Sequence, residues 1–404
     1  MTAVILRADA RRLPLPDESV DLIVTSPPYW GLRSYTDGGR HYEGQIGAEP
    51  DPQDYITALL DCTAEWSRVL KPSGSIFVLL GDKYVNRTRG AWRGSSDGFT
   101  WRAASPRYVR PKDMPEKSLM LLPERYRIGA VDKLGLIARA VVIWDKPSAM
   151  PESVTDRVRR SHEDWVHLTK EPHYFSAVDE IRKPHAAPRR VAGRSAFNAR
   201  NVNHVRTGTG HYDGQHPLGA LPGSVWEVGT QPLRVPEHLD VEHFAAYPPA
   251  LIRSIILGWS PSGVCTACGD GRRPVVDKPG LLGGDNNPAS RDGSRTRSTM
   301  DGGTERWQRR IAKPDRIVGY ACACSTPDAP TRPAVVLDPF GGTGTTALVA
   351  DVHGRHGISV DMSADYCRLA QWRTADPGER ARALGVPKPP PVPSGQDPLF
   401  EEIA

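Results

Sequence analysis

The sequence predicts an α/β protein built on a mostly parallel sheet, and two observations carry that prediction. Short apolar runs bounded by turn residues alternate with stretches in which apolar residues recur at helical spacing. A glycine-rich turn at residues 338–346 joins one such run directly to a helical pattern.

In chain order, residues 4–6 and 22–25 read as strands. Residues 55–70 read as a helix, with Ile56, Leu59, Leu60, Trp66, Val69 and Leu70 at helical spacing and Lys71-Pro72-Ser73-Gly74 as its stop. Residues 75–80 form a third strand, 119–134 a helix and 140–144 a fourth strand. Residues 165–168 and 173–175 are expected to pair near a sheet edge. Residues 241–257 read as a helix, 334–337 as a strand, 343–352 as a helix, 357–360 as a strand and 364–373 as a helix. From Asp376 prolines accumulate (Pro387, Pro389, Pro390, Pro391, Pro393), which reads as a tail.

The 404 residues are enough to bury a sizeable core, and no apolar stretch approaches the roughly 18 residues that span a bilayer. The N-terminus shows no signal-peptide pattern. Two of the six cysteines are isolated and four cluster, which points to metal rather than a disulfide framework, in a reducing, cytoplasmic setting. The formal charge of +5 is unevenly spread. Residues 87–112, 182–216 and 269–319 carry +6, +6 and +4, leaving −11 on the rest. Trp92, Phe99, Trp101 and Tyr108 interleave with the first basic segment. Basic, Gly/Pro/Ser-rich loops suit a polyanion, so nucleic acid is the favoured partner, with solvated loops the plainer alternative.

Two motifs carry chemistry. Asp338-Pro339-Phe340-Gly341-Gly342-Thr343-Gly344-Thr345-Thr346 follows a strand and opens a helix, where glycines let backbone approach a ligand and the helix start offers free N–H groups. The lysine of a phosphate loop is missing, which argues against an ATPase. Asp338 at the strand end suits a positively charged ligand, and Asp361 ends the next strand, where an acid can take two ribose hydroxyls. An adenosine cofactor bearing a sulfonium and an amino acid fits these demands better than a dinucleotide. A tight turn with no ligand is the alternative. The second motif, Ser26-Pro27-Pro28-Tyr29, stiffens the chain just past a strand. The carbonyls of Ser26 and Pro27 can then point together as acceptors beside the flat face of Tyr29. That suits a planar base with an exocyclic amino group, turned out of its stack. A proline-stiffened turn with a structural tyrosine is the alternative.

In this order, the two motifs resemble those of the beta group of DNA amino-methyltransferases. The catalytic SPPY comes first, a variable recognition region lies between, and the FxGxG cofactor motif, here Phe340 to Gly344, stands near the C-terminus. Lys146-Pro147, Trp226 and His243-Phe244-Ala245-Ala246-Tyr247-Pro248 are further points of similarity. The resemblance implies a Rossmann-like sheet dependent on S-adenosylmethionine and acting on double-stranded DNA, with a basic target-recognition region; the clustered cysteines add a zinc-knuckle insertion. It divides the chain into a catalytic half at 1–182 with its basic insertion at 87–112, and a recognition region at 183–235. The cofactor half is 236–261 with 333–375, the zinc-binding insertion 262–332 and the Pro-rich tail 376–404. It assigns Asp9, Asp338, Phe340, Gly342, Gly344, Thr345 and Asp361 to the cofactor, with Asp9 at the adenine and Asp361 at the ribose. Ser26, Pro27, Pro28 and Tyr29 are assigned to the flipped base. Methyl transfer is expected by direct in-line attack of the amino nitrogen, without a covalent nucleophile. Ser at the first motif position favours cytosine N4 as the target; adenine N6 is the alternative.

Cys265-Thr266-Ala267-Cys268 and Cys322-Ala323-Cys324 form two close pairs that suit a structural tetrahedral zinc, with a redox pair or unrelated free thiols as alternatives. His162 and His167 read as surface or core histidines rather than ligands. Gln396-Asp397-Pro398-Leu399-Phe400 resembles the QxxLF peptide that docks on the bacterial sliding clamp. The expected setting is the cytoplasm, in association with the nucleoid, for a bacterial or phage-encoded protein. Oligomeric state is left open, a dimer included.

Overall fold

The computed structural model describes residues 3–31, 36–37, 40–41, 44–85, 114–149, 151–185, 216, 218–241, 246–277, 316–326 and 328–387. The basic insertion at 87–112, residues 186–215 and 278–315, His243 to Ala245 and the QxxLF-like peptide lie outside the described residues.

An eight-stranded sheet organises the chain. In sequence its strands are β1 (Val4–Arg7), β2 (Val20–Thr25), β3 (Leu70–Leu80), β4 (Ile137–Asp145), β5 (His162–Thr169), β6 (Val225–Glu227), β11 (Val335–Asp338) and β12 (His356–Asp361). Four short strands, β7 (Val264–Cys265), β8 (Arg273–Asp277), β9 (Arg316–Ala321) and β10 (Thr331–Arg332), lie between β6 and β11 in the chain and form two separate ladders. The spatial order of the large sheet is β1-β12-β11-β2-β3-β5-β4-β6. Only β5 runs against its neighbours; every other pairing in the sheet is parallel.

Alternation along the strands serves two cores, one on each face. Ile23, Ile76, Val78 and Leu80 pack with Tyr55, Ile56, Leu59 and Trp66 of α1 (Pro52–Val69). Leu22, Val24, Phe77 and Leu79 pack on the other face with Ile252, Ile255 and Ile256 of α3 (Pro249–Trp259) and Leu348 of α4 (Thr345–Val352). Asp51 caps α1 by accepting from the Gln53 N–H at 2.7 Å, with Pro52 at the first turn, where its missing N–H costs nothing. No described helix is long and apolar enough to cross a membrane.

Several expectations are corrected. Residues 165–168 sit in an interior strand, β5, between β3 and β4, and 173–175 form no strand. The expected stop at 71–74 is instead part of β3. Val20 pairs with Leu70 but Leu22 with Ser75, so those four residues bulge out of the ladder. The second helix, α2 (Leu122–Asp132), starts later than expected because Leu121 takes a left-handed conformation, and the Asp82 carboxylate accepts from the N–H groups of Leu121 and Leu122. The helix expected at 241–257 begins at Pro249, where a proline pair sets its entry.

The region 183–235 is more than recognition surface, since Val225–Glu227 adds a parallel edge strand beside β4. Nor does the chain leave the fold at Asp376. After α5 (Ala364–Ala375), that residue caps a further helix, α6 (Pro377–Leu384), which packs back on α4 and ends at Gly385 with positive φ.

Candidate active site

The strands β1, β2, β3, β4, β11 and β12 all end on one edge of the sheet, and β5 begins there. In such sheets the crevice beyond the strand ends is where ligands bind. A cavity of about 510 Å³ opens at this edge, lined by Ser26, Pro27, Pro28 and Tyr29 together with Asp9, Phe340, Gly342, Thr345 and Asp361. Two motifs more than 300 residues apart therefore share one cavity. Asp338 and Gly344 do not line it; both lie beneath its floor.

Ser26–Tyr29 is held from several sides. The Tyr55 hydroxyl donates to the Pro28 carbonyl at 2.9 Å. The Tyr29 ring lies against Gly81, just past β3, where a Cβ would stand 2.7 Å from ring carbon Cε2. Gly47, at φ +91°, lets the loop before α1 pass close under the carbonyls of Pro28 and Tyr29. The Tyr29 hydroxyl donates to Glu163 Oε2 at 2.8 Å. Glu163 also pairs with Lys146, whose ammonium sits 4.5 Å from the Trp144 ring centre. Burial, and then the Glu163 charge, push the Tyr29 hydroxyl well above its ordinary pKa, so it stays protonated.

Asp338 is fully buried and saturated. Its Oδ1 accepts from Thr25 Oγ1 at 2.7 Å and the Phe340 N–H at 3.1 Å; its Oδ2 accepts from the Tyr247 hydroxyl at 2.7 Å and Thr346 Oγ1 at 2.8 Å. Burial raises its pKa, and these hydrogen bonds oppose the rise. The carboxylate thus ties β2, β11 and the start of α4 into one knot that shapes the glycine turn. Gly341 is required there because a Cβ would meet Ser359 Oγ at 1.8 Å, and Gly344 takes φ +75° where a Cβ would meet Ala370. Below the turn, Arg373 donates to Thr343 Oγ1 at 2.8 Å and Thr345 Oγ1 at 2.6 Å, and pairs with Glu379 of α6 at 2.9 Å.

The remaining acids bound the cavity. Asp361 accepts from the Gly342 N–H at 2.9 Å and the Ser363 N–H at 2.8 Å. Burial alone would raise Asp9, but the Arg11 side chain and backbone N–H groups donate to it and hold it below its usual pKa.

The four clustered cysteines come together away from this cavity. The sulfurs of Cys265, Cys268, Cys322 and Cys324 all lie within 4.8 Å of one another. N–H groups of Cys268 and Ala267 point at Cys265 and lower its thiol to about 6. The β7–β10 ladder, Thr331 opposite Cys265, closes the base of the insertion. His167 is a buried core residue, stacked on Phe77 with centroids 4.2 Å apart and bonded to Ser75; His162 is exposed.

Sequence reasoning assigned no role to Glu163, Gly81, Tyr55 or Arg373. Lys146 and Tyr247 stood in quoted motifs, but only as points of similarity. Nothing in spacing links Tyr29 to Glu163, 134 residues away.

The DNA methylase family model matches residues 20–266 and 310–372. The chain is 34% identical over 371 residues to the type II methyltransferase M.SmaI of Serratia marcescens, covering 91% of this chain and 89% of that one. It is 32% identical over 249 residues to the type II methyltransferase M.Cfr9I of Citrobacter freundii, covering 62% and 69%. Among solved structures it is similar in fold to the PvuII DNA methyltransferase (cytosine-N4-specific), at TM-score 0.52 and 15% identity over 95% of this chain and 91% of the other. The residues that the family model matches include both the SPPY segment and the glycine turn, and the chain belongs to the DNA methylase family of amino-methyltransferases.

Proposed function

We propose that the protein is a site-specific DNA methyltransferase that moves a methyl group from S-adenosylmethionine to the exocyclic amino nitrogen of a flipped base, cytosine N4 in preference to adenine N6. The observation that carries this reading is the shared cavity, which brings Ser26–Tyr29 to the same space as Asp361 and the glycine turn. Ser26 supports cytosine, because a hydroxyl stands where a carboxylate would be the stronger acceptor. The names of the relatives support the modification half of a restriction–modification pair.

The residues fit the cofactor: Phe340, Gly341, Gly342 and Thr345 of the glycine turn line the cavity, and two acids, Asp9 and Asp361, stand at the ends of β1 and β12. Asp361 would take the ribose, Asp9 the adenine side, and Phe340 with Gly342 and Thr345 the rest, while Asp338 and Gly344 act from below by fixing the turn. When bound, the cofactor supplies an electrophilic methyl group. Ser26 Oγ and the carbonyls of Ser26 and Pro27 accept from the amino group of the base, which localises its lone pair for in-line attack. Tyr29 stacks on the base, held at its hydroxyl by Glu163. Its raised pKa keeps it a donor across the working pH range.

The four cysteines fit a structural zinc, since four sulfurs within 4.8 Å fill a tetrahedral ion and leave no position for water. Docking of Gln396–Phe400 on a sliding clamp stays a proposal about residues outside those described; a peptide showing no clamp binding disposes of it.

The deciding assay supplies labelled S-adenosylmethionine and duplexes with cytosine-only or adenine-only amino targets, with Tyr29→Ala as control. Label in cytosine alone is expected. Label in adenine alone overturns the base assignment, and no label in any DNA overturns the enzyme reading. Metal analysis of the purified protein is expected to find zinc, lost together with Cys265→Ser.

A further inference from the structure

Between Lys146 and Glu163, both on the cavity wall, the chain leaves the sheet edge and returns to it. The base of this excursion is fixed by the Lys146 N–H, which donates to the Ser161 carbonyl at 2.8 Å. Its outer part is built rather than loose. The Arg157 guanidinium lies over the Tyr84 ring at 3.8 Å, donates to Glu152 at 2.7 Å, and donates to the Val158 carbonyl at 2.9 Å. Lys117 donates to Asp156 at 2.6 Å, and Arg159 donates back to the Ala149 carbonyl at 2.5 Å. Arg157 is thus turned inward and spent on holding the chain, and its neighbour Val158 is turned out. Val158 is 86% exposed, the most exposed large apolar side chain among the described residues. Arg159 and Arg160 follow it. Tyr84, under Arg157, stands next to Val85, the last described residue before the basic segment at 87–112.

An isolated valine held out to water on a braced loop, beside arginines and in an excursion that starts and ends on the cavity wall at Lys146 and Glu163, has a physical use. Turning a base out of a duplex leaves a hole in the stack that costs a few kcal/mol, and an apolar side chain entering the hole recovers part of that cost while cations take the flanking phosphates. We propose that Val158 is the wedge that fills the space vacated by the target base, with Arg159 and Arg160 on the adjoining backbone. The partner is duplex DNA, chosen by the positive charge that flanks the wedge. This rests on the base-flipping reading above.

The test uses the full chain with S-adenosylhomocysteine and a duplex carrying its own methylation site, mapped by modification-aware sequencing in an expressing host. 2-Aminopurine beside the target reports unstacking. Val158→Ser is expected to weaken binding to the paired duplex about tenfold and to reduce the fluorescence rise, the scale of losing one buried valine. Val158→Leu is expected to keep both, and a mismatched target, already cheap to flip, is expected to restore the fluorescence with Val158→Ser. Unchanged binding and fluorescence in Val158→Ser overturns the wedge, as does a loss that neither leucine nor the mismatch rescues. If the wild type methylates DNA and Val158→Ser is indistinguishable from it, the wedge alone falls. If the wild type labels no DNA, the base-flipping reading falls and takes the wedge with it.

Discussion

The Tyr29 hydroxyl donates to Glu163 Oε2 at 2.8 Å, joining the loop after β2 to the start of β5. Glu163 is held in turn by Lys146 at the end of β4. The Tyr29 ring is thereby fixed at both ends, by the backbone of the double proline and by an ion pair. Glu163→Gln and Tyr29→Phe are each expected to lower kcat/KM for DNA by about tenfold to a hundredfold, the range of a hydrogen bond to a charged group. Because both remove the same bond, the double variant should be little worse than either, whereas Tyr29→Ala, which also removes the stacking face, should be far worse. Additive losses in steady-state kinetics would show that the two side chains act separately.

Gly81 leaves room for that ring. A Cβ there would stand 2.7 Å from Tyr29 Cε2, so Gly81→Ala is expected to push the ring out of line. Activity should fall by about a hundredfold, while circular dichroism and melting temperature change little, because the cost falls on geometry at the cavity. An active Gly81→Ala enzyme would mean that the ring position is not critical.

The helix beyond Asp376 bears on the glycine turn through one buried pair. Arg373 and Glu379 are 3% and 7% exposed, and Arg373 holds the hydroxyls of Thr343 and Thr345. Glu379→Gln leaves a buried guanidinium uncompensated, at a cost of about 3 kcal/mol in stability. Urea unfolding should show that loss, and titration with S-adenosylmethionine should show weaker binding, because the two threonines lose their anchor.

His167 gives the fold an acid limit. Burial, and then the charge of Arg139, push its pKa down to about 3 from 6.5. The unfolded chain therefore binds a proton in this window and the folded one does not. Stability from this residue is complete above about pH 6.5 and falls as pH drops toward 3, at up to roughly 1.4 kcal/mol per pH unit. His167→Phe should flatten the dependence of melting temperature on pH between 6.5 and 4. An unchanged slope would place the acid sensitivity elsewhere.

Much of the site was legible in the sequence because its chemistry sits in contiguous stretches. Glycine has to stand where φ is positive or a Cβ would clash, as at Gly344 and Gly341, and paired prolines have to stand where an acceptor-bearing turn is made rigid. Those requirements are local, so the residues appear as motifs. The two cysteine pairs were legible for the same reason, since each is a short stretch of chain, and the fold brings their four sulfurs within 4.8 Å of one another.

What the sequence determined by itself, then, was the α/β class, the two motifs and the cysteine pairs, all fixed by local conformation and residue chemistry. Only the tertiary structure decided that β5 is interior and reversed, that Val225–Glu227 joins the sheet, and that the chain after Asp376 returns as a helix to brace the glycine turn. It alone brought Glu163 to Tyr29, put Gly81 under the ring and set Asp338 beneath the cavity rather than in its wall. Such placements depend on which strands become neighbours. That choice is made by burying two faces of one sheet at once, and no short stretch of sequence records it.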